Sequence, residues 1–422
     1  MKKVLVIGGG GREHALAWKL ASDSSPPELF CAPGNAGTAG LGTNLDIGAE
    51  DISRITEWSK RSRPDLVVAG PEAPLCAGLA DSLQAEGITV FGPGRDAARL
   101  EGSKTFAKQV MNSAGVPTAE AREFSDAGQA AEYAGSLGWR AVVKADGLAA
   151  GKGVSVCASE KDVRAALEEC LVADRFGDAG RQVLIEECLE GEEASILALV
   201  DGEHIVMLAS SQDHKRVFNN DEGPNTGGMG AYSPAPVITE NLWPVIRERV
   251  FEPTLAELRK RKVVYRGILY AGLMVSETGP KVLEFNCRFG DPETQAVLPR
   301  IEGDLLPALE ACARGELSRD MLSWKEDHCV CVVMASGGYP GGYEKGKVIH
   351  GLGGSGDVLV FHAGTEKNEN AAVITSGGRV LGVTALGRDL PQAVDRAYKA
   401  ITGISFDQAQ YRTDIGSRAL NR

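Results

Sequence analysis

The strongest constraint on the fold lies in the first hundred residues, where short apolar runs alternate with helix-patterned stretches. Apolar runs at 4–7, 29–31, 66–69 and 89–91 are separated by helical patterns at 13–20, 52–62 and 78–85. The runs are too short for helices and the intervals long enough for crossovers, which is the signature of a parallel sheet. Glycine-rich turns follow the runs at Gly8-Gly9-Gly10-Gly11, Pro33-Gly34-Asn35, Gly70-Pro71-Glu72 and Gly92-Pro93. Open α/β sheets bind ligands beyond the carboxyl ends of their strands, so these turns are the first candidate site. The opening Met1-Lys2-Lys3 followed by the apolar run 4–7 has the order of an export signal. That run stops at glycines and the charged Arg12-Glu13-His14, and it is read as the first strand.

A chain of 422 residues exceeds one ordinary domain. A second unit opens at Ser103-Lys104, with Ser103 as the N-cap of a helix that runs to 114, before the break Gly115-Val116-Pro117. Between 119 and 190, helices at 127–137 and 160–171 lie among strands at 141–144, 154–157 and 183–187, a compact α+β module. Residues 193–300 read as strand-rich, interrupted by a long polar, glycine-rich loop at 212–229 and a helix at about 242–262. After Trp324 come β-like runs at 329–334, 358–362, 373–374 and 380–385, then a helix at about 390–402. The expected architecture is multidomain α/β and α+β: a parallel α/β domain at 1–103, a central domain at 104–327 and a small β-rich α+β domain at 328–422.

Composition narrows the function. Lys and Arg at 45 against Asp and Glu at 57 give a net charge of −12, which argues against a general nucleic-acid binder and requires any anion site to be a local basic cluster. The nine cysteines contain no CxxC pair. Cys329 and Cys331 share one face of a strand, but no second pair completes a zinc site, so the thiols are read as reduced and buried. No stretch approaches the ~20 apolar residues of a membrane span.

Four segments carry chemistry. The turn 8–11 is not the dinucleotide fingerprint, because the third glycine position falls on Glu13. It either forms a tight structural turn or lets backbone amides approach an anion at a helix N-terminus, with Arg12 and His14 at the pocket edge. The segment from Lys144 through Gly147 to Gly151-Lys152-Gly153 is not the GxxxxGK[ST] loop; it reads as a flexible hairpin with lysines and free amides, suited to a lid over a triphosphate. The apolar strand at 183–187 ends in Glu186 and Glu187, which could meet an adenine edge and ribose hydroxyls, although acids at a strand end are usually solvated. In Val282-Leu283-Glu284-Phe285-Asn286-Cys287-Arg288, strand alternation puts Glu284, Asn286 and Arg288 on one face. Two hard oxygen donors and a guanidinium then converge, as a magnesium–phosphate site needs.

Lys104, the Lys144 loop, the strand ending at Glu187-Cys188-Leu189 and the Glu284/Asn286 pair occur in the order of an ATP-grasp enzyme. Closer still, Gly9-Gly10-Gly11-Arg12-Glu13-His14-Ala15, Pro33-Gly34-Asn35-Ala36-Gly37, Gly70-Pro71-Glu72-Ala73-Pro74-Leu75, Gln212-Asp213-His214-Lys215-Arg216, Pro224-Asn225-Thr226-Gly227-Gly228-Met229-Gly230 and Arg288-Phe289-Gly290-Asp291-Pro292-Glu293-Thr294-Gln295 resemble the phosphoribosylamine–glycine ligase family over essentially the full chain. One departure is Gly11, where the family often has a small polar residue.

The resemblance implies a pre-ATP-grasp first domain, an ATP-grasp domain with a mobile lid at about 119–190, and a C-terminal domain against the cleft. It implies ligation of glycine to 5-phosphoribosylamine with ATP and Mg2+ or Mn2+, giving glycinamide ribonucleotide, ADP and phosphate through glycyl phosphate. It implies ATP contacts from Lys104, Lys144, Gly151, Lys152, Gly153, Glu186, Glu187, Leu189 and Glu193, and metal ligation by Glu284 and Asn286. Substrate contacts would come from Gly9, Gly10, Gly11, Pro33, Gly34, Asn35, Asp213, Lys215, Pro224, Asn225, Thr226, Gly228, Met229 and Arg288, with Arg288, Asp213 and Lys144 catalytic. Lys215 and Arg216 could instead be a solvated basic step, and His214 could orient the loop or move protons. A cytoplasmic monomer with no nucleic-acid or membrane partner is the accompanying expectation. The competing readings are another ATP-grasp ligase or carboxylase, a nicotinamide oxidoreductase built on the first turn, and a non-catalytic nucleotide-binding module.

Overall fold

A computed structural model describes residues 1–148, 153–173, 177–352 and 358–422. The N-terminal sheet is fully parallel, in the spatial order Thr43–Asn44, Glu28–Pro33, Lys3–Gly8, Leu66–Ala69, Val90–Phe91. Its central strand is buried on both faces. Leu5 and Ile7 enter one core and Val4 and Val6 another, which is why the run is continuously apolar rather than alternating. The strand order reverses beside Lys3–Gly8, and the crevice at that reversal opens beyond Gly8, Pro33 and Ala69.

The next unit is an antiparallel sheet in the order Ala121–Phe124, Val183–Glu187, Ala141–Ala145, Val154–Cys157, with helices Ala127–Ser136 and Glu160–Leu167 packed into one alanine- and valine-rich core. It faces a second antiparallel sheet, Ile205–Met207, Glu192–Val200, Gly267–Ser276, Gly279–Asn286. The two are stitched by Thr118, whose hydroxyl donates to the Val282 carbonyl at 2.7 Å. Helix Lys104–Ala114 runs between them, and Ser103 caps it by accepting from Phe106 N at 3.1 Å.

The last sheet takes strands from two parts of the chain: Gln212–Asp213, Gly230–Ser233, His328–Ala335, Arg379–Gly387, Val358–His362. Helix Leu390–Ile401 covers one face. Cys329 and Cys331 lie together on the other, against Ala231 and Ala296, where burial pushes the Cys331 thiol up to about 12.

Two expectations change. Residues 212–229 are not a loop: Gln212–Asp213 joins the C-terminal sheet, and Arg216–Phe218 pairs with Glu222–Asn225 as a hairpin. A polar, glycine-rich hairpin carries no apolar alternation to reveal it. The helix at 242–262 is interrupted, with Leu242–Ile246 and Glu252–Lys260 joined through a π-turn at Arg247–Phe251. Pro253 has no N–H for the regular ladder at that point.

Candidate active site

The glycine run after the first strand is built around a side chain of its own helix. Glu13, 2% exposed, reaches back to accept from Gly10 N at 2.6 Å. A Cβ on Gly8 or Gly10 would come within 2.6 or 2.7 Å of that side chain, and one on Gly70 within 2.1 Å. The anion at this helix N-terminus is therefore the Glu13 carboxylate, balanced by Arg12 Nε at 2.6 Å, while Arg12 Nη1 donates to the Phe289 carbonyl. Arg12 and His14 do not sit at a pocket edge. Both are buried, and His14 Nδ1 accepts from His362 N at 2.7 Å, with burial holding its pKa down to about 3.

Neighbouring turns are stapled in the same way. Asn35 uses its amide to donate to the carbonyls of Gly9 and His362 and its oxygen to accept from Gly37 and Thr38. Its side chain holds the Pro33-Gly34 turn against Gly9. Gly34 has φ +71, and a Cβ there would strike Asn44. Gly11 faces Gln295, whose Nε2 stands 2.6 Å from where a Cβ would be, so the missing side chain makes room for that amide.

Across the crevice, Lys144 and Lys108 share Glu186, at 2.8 and 3.0 Å, with all three side chains at most 7% exposed. Lys144 also donates to the Leu283 carbonyl at 2.9 Å. That carbonyl is available because the strand pairing shifts at Gly272/Leu273: Gly272 opposes Glu284, Leu273 opposes Val282, and Leu283 is left over as a bulge. Lys104 Nζ donates to the Gly147 carbonyl at 2.9 Å, and burial lowers its pKa. Glu284 and Asn286 lie on one face as alternation requires. Burial alone would raise the Glu284 pKa, but Lys215, Lys144, Lys104 and Arg288 together hold it below the ordinary value.

On the far side of Glu284, Lys215 pairs with Glu193 at 2.7 Å. Asp213 is buried beside them, and burial lifts its pKa to about 7; Lys215 opposes the shift, while Glu293 and Glu193 add to it. Glu293 in turn accepts from Tyr270 Oη at 2.7 Å, and Tyr270 Oη lies 2.7 Å from Ser195 Oγ. A compact set of cations thus faces two oxygen donors, with an acid poised near neutrality at one end.

Sequence profiles of phosphoribosylglycinamide synthetase match the N domain at 2–101, the ATP-grasp (A) domain at 102–294 and the C domain at 329–418. The phosphoribosylamine–glycine ligase of Escherichia coli K12 is 48% identical over 429 residues, covering 100% of this chain and 99% of that one. The ligase of Synechocystis is 50% identical over 424 residues, covering 99% and 100%. The crystal structure of the Thermotoga maritima phosphoribosylamine–glycine ligase superposes with a TM-score of 0.86 at 33% identity, covering 98% of this chain and 100% of that one. This chain belongs to the phosphoribosylamine–glycine ligase family. A biotin carboxylase–βγ-ATP complex from Campylobacter jejuni, at 15% identity and TM-score 0.76, shares the fold alone.

Other residues expected in a ligase of this family are distributed unevenly. Gly151 and Lys152 lie outside the described residues, while the Gly153 carbonyl accepts from Ala145 N at 2.8 Å. Glu187 is turned to Lys281 and to Glu120 N, both at 3.1 Å, and Leu189 is half-buried. Pro224 is exposed and Asn225 half-buried on the hairpin; the Thr226 hydroxyl donates to the Lys215 carbonyl and accepts from Gly228 N. Met229 is fully buried against Val217 and Ala335, and its backbone is paired within the fold, its N donating to the His214 carbonyl at 2.8 Å and its carbonyl accepting from Val333 N at 3.0 Å. His214 is fully buried, its Nε2 accepts from Gly416 N, and burial lowers its pKa.

Arg288 departs most from expectation. It is held in a cage, with Nε to Glu72 at 3.1 Å, Nη2 to Glu101 at 2.8 Å and to Asn286 at 3.3 Å, and Nη1 to the Phe289 carbonyl. Burial pushes the Glu72 pKa up, but the Arg288 and Arg12 guanidiniums outweigh it and hold that carboxyl down at about 2. Glu72 and Glu101 were not singled out as site residues from the sequence. Glu72 had a signal, as the first polar side chain after a glycine turn at a strand end; Glu101, inside a helix, had none.

Proposed function

We propose that this chain, a ligase by family, joins glycine to 5-phosphoribosylamine in two steps, yielding glycinamide ribonucleotide, ADP and phosphate for purine biosynthesis. The observation that carries the reading is that Lys144, bonded to the Leu283 carbonyl next to Glu284, and Arg288, bonded to Asn286 Oδ1 at 3.3 Å, stand against the strand that carries both oxygen donors. In the first step a glycine carboxylate oxygen attacks the γ-phosphorus of ATP and the bond to ADP breaks, leaving glycyl phosphate. Lys104 and Lys144 spread the charge that develops on the transferred group, which is where positioned cations act most strongly. In the second step the ribosylamine nitrogen attacks the acyl carbon, the bond to phosphate breaks, and the nitrogen gives up a proton. Asp213, with a pKa near 7, is suited to take that proton or to hold an amine. Arg288 supplies positive charge from a plane fixed by Glu72 and Glu101.

The chemistry of Glu284 and Asn286 fits a magnesium or manganese ion: two hard oxygens on one strand face, the first kept ionised by four cations. Bound there with phosphate oxygens and water, the ion would neutralise triphosphate charge. The outer rim of the first-domain turns at Gly9–Gly11 and Pro33–Asn35, beside the helix N-terminus that Glu13 fills, and the hairpin from Asp213 to Met229 would take the sugar phosphate and amine side. The reading extends to three domains divided at 103/104 and 327/328, a lid at about 119–190, and a cytoplasmic monomer acting on small molecules. Among the described residues no helix is long and apolar enough to cross a membrane.

The decisive assay measures phosphate release with ATP, magnesium and 5-phosphoribosylamine, with glycine present or omitted; glycine-independent release would sink the reading. Glu284→Ala and Asn286→Ala should each reduce magnesium-dependent ADP formation at least a hundredfold. Near-normal turnover in both would remove the metal assignment.

A further inference from the structure

We propose that Arg379, which opens the strand Arg379–Gly387, fourth of the five in the C-terminal sheet, is a positioning residue for the ribosylamine side of the reaction. The proposal rests on the reading that the 224–229 segment and the 291–295 turn face that substrate. Its Nη1 donates to the carbonyl of Asp291 at 2.7 Å, to that of Gly228 at 3.4 Å and to that of Gly227, and its Nη2 pairs with Asp291 Oδ2 at 2.9 Å. One guanidinium therefore fixes three carbonyls and a carboxylate from two motifs far apart in sequence.

What these contacts fix is the geometry of the crevice. The other Asp291 oxygen accepts from Gln295 Nε2 at 2.7 Å, the amide that occupies the space beside Gly11. A Cβ on Gly10 would stand 3.5 Å from Asp291 Oδ2, so the Arg379–Asp291 pair borders the first-domain turn. Gly228 has φ +108 and lies against Pro292, where a Cβ would come within 2.4 Å of the ring. Gly227 N donates to Tyr339 Oη at 3.1 Å, a second tie from the C-terminal domain. Asp213 and Lys215 lie just before this hairpin and Glu293 lies two residues after Asp291. Arg379 anchors the far end of both segments, so it sets where those acids and that lysine stand without being among them.

The requirement is for the fork. A planar guanidinium can serve a carboxylate and several carbonyls in one plane; a lysine ammonium carries the charge but directs its three donors tetrahedrally from one atom. Arg379→Lys should therefore keep the domain contact and lose the alignment. Arg379→Ala should lose both.

Steady-state kinetics of both variants, with 5-phosphoribosylamine formed in situ from ribose 5-phosphate and ammonia, test this together with thermal unfolding. The expected result for Arg379→Lys is a KM for ribosylamine raised roughly tenfold, a KM for ATP within twofold of wild type, and an unchanged unfolding midpoint; Arg379→Ala should raise the ribosylamine KM further. Unchanged KM values for every substrate, with or without a lowered midpoint, would reduce Arg379 to a structural tether and overturn the proposal. An equal rise for ATP and ribosylamine would also overturn it, because the effect would then not be on one side of the cleft. A wild-type enzyme that does not use ribosylamine would instead sink the underlying reading, and inactivity of Glu284→Ala in the same assay separates the two failures.

Discussion

Replacing Glu186 with glutamine removes one negative charge from a site where two buried ammonium groups depend on it. Lys108 and Lys144 approach its two oxygens at 3.0 and 2.8 Å, and the three side chains are 4–7% exposed, so water cannot stand in for the lost charge. Removing one partner of a buried ion pair typically costs about 3–5 kcal/mol, most of it from the charge left uncompensated. Two features bound the loss from above. Lys108 keeps hydrogen bonds to Thr118 Oγ1 and the Ala119 carbonyl at 2.8 and 2.9 Å. Burial already lowers its pKa, so it can shed its proton rather than bear the full penalty. Among the described residues Lys144 keeps the Leu283 carbonyl as its one hydrogen-bond partner. The expected destabilisation of Glu186→Gln is therefore about 3 kcal/mol, read as a fall in the urea midpoint with an unchanged slope. Because the same change frees Lys144, the KM for ATP should rise about tenfold. In a Lys108→Met background the Gln substitution should cost less, but still more than half as much, since Lys144, the less supported ammonium, still loses its counterion. A loss below 1 kcal/mol, or additivity in that cycle, would refute the argument that Glu186 is the shared counterion, and would return it to the expected role of direct nucleotide contact.

Two further outcomes follow from the site. The folded pKa of Asp213, about 7, lies above its unfolded value near 3.8, so between these limits the folded state binds more protons and stability falls as pH rises from about 4 to 7. Asp213→Asn should therefore unfold at a higher temperature than wild type at pH 8 when both are free of ligand and metal, show no difference near pH 4, and lose activity; an equal gap at both pH values would show that charge is not the cause. Gly70→Ala would place a Cβ 2.1 Å from Glu13 and 2.6 Å from the Ile7 carbonyl, which should cost about 1–3 kcal/mol and raise the ribosylamine KM, whereas Gly48→Ala, with open space around it, should be neutral in the same unfolding and kinetic measurements.

Four of the five strands of the parallel sheet and their glycine turns were legible because each announces itself locally, through a short apolar run and a break; the two-residue edge strand Thr43–Asn44 is polar and carries no such signal. Glu284 and Asn286 were legible for the same reason, since alternation is a property of adjacent residues. What the turns contain was not. Four glycines suggest an open anion cradle, yet side chains are excluded there by Glu13 at Gly8 and Gly10, by the Gly34 carbonyl at Gly9 and by Gln295 at Gly11, neighbours the run itself does not announce. Lys144 was legible as a lysine near the end of a strand, but its carbonyl partner exists only because a bulge turns Leu283 out of the ladder. Arg379 stands in an unremarkable Gly-Gly-Arg-Val stretch, and its partners lie 88 to 152 positions away. His14 illustrates the converse: its place in a charged motif suggests an edge residue, while its neighbours His362 and Phe361 come from the third domain and bury it.

The same long-range pairing explains how a chain with net charge −12 can receive a triphosphate and a sugar phosphate. Lys144 has Glu186, Lys215 has Glu193, and Arg288 has Glu72 and Glu101, so most site cations are held with local charge already matched. Lys104 differs. Its Nζ meets only the Gly147 carbonyl in the described structure, and burial lowers its pKa, so its ammonium is the least compensated of the set. An incoming phosphate restores what burial withholds from Lys104, and the interaction is worth most where water is already excluded. The acids around the other three cations then act as orienting partners: they hold the lysines and the guanidinium in place around Glu284, as the metal site proposed there requires.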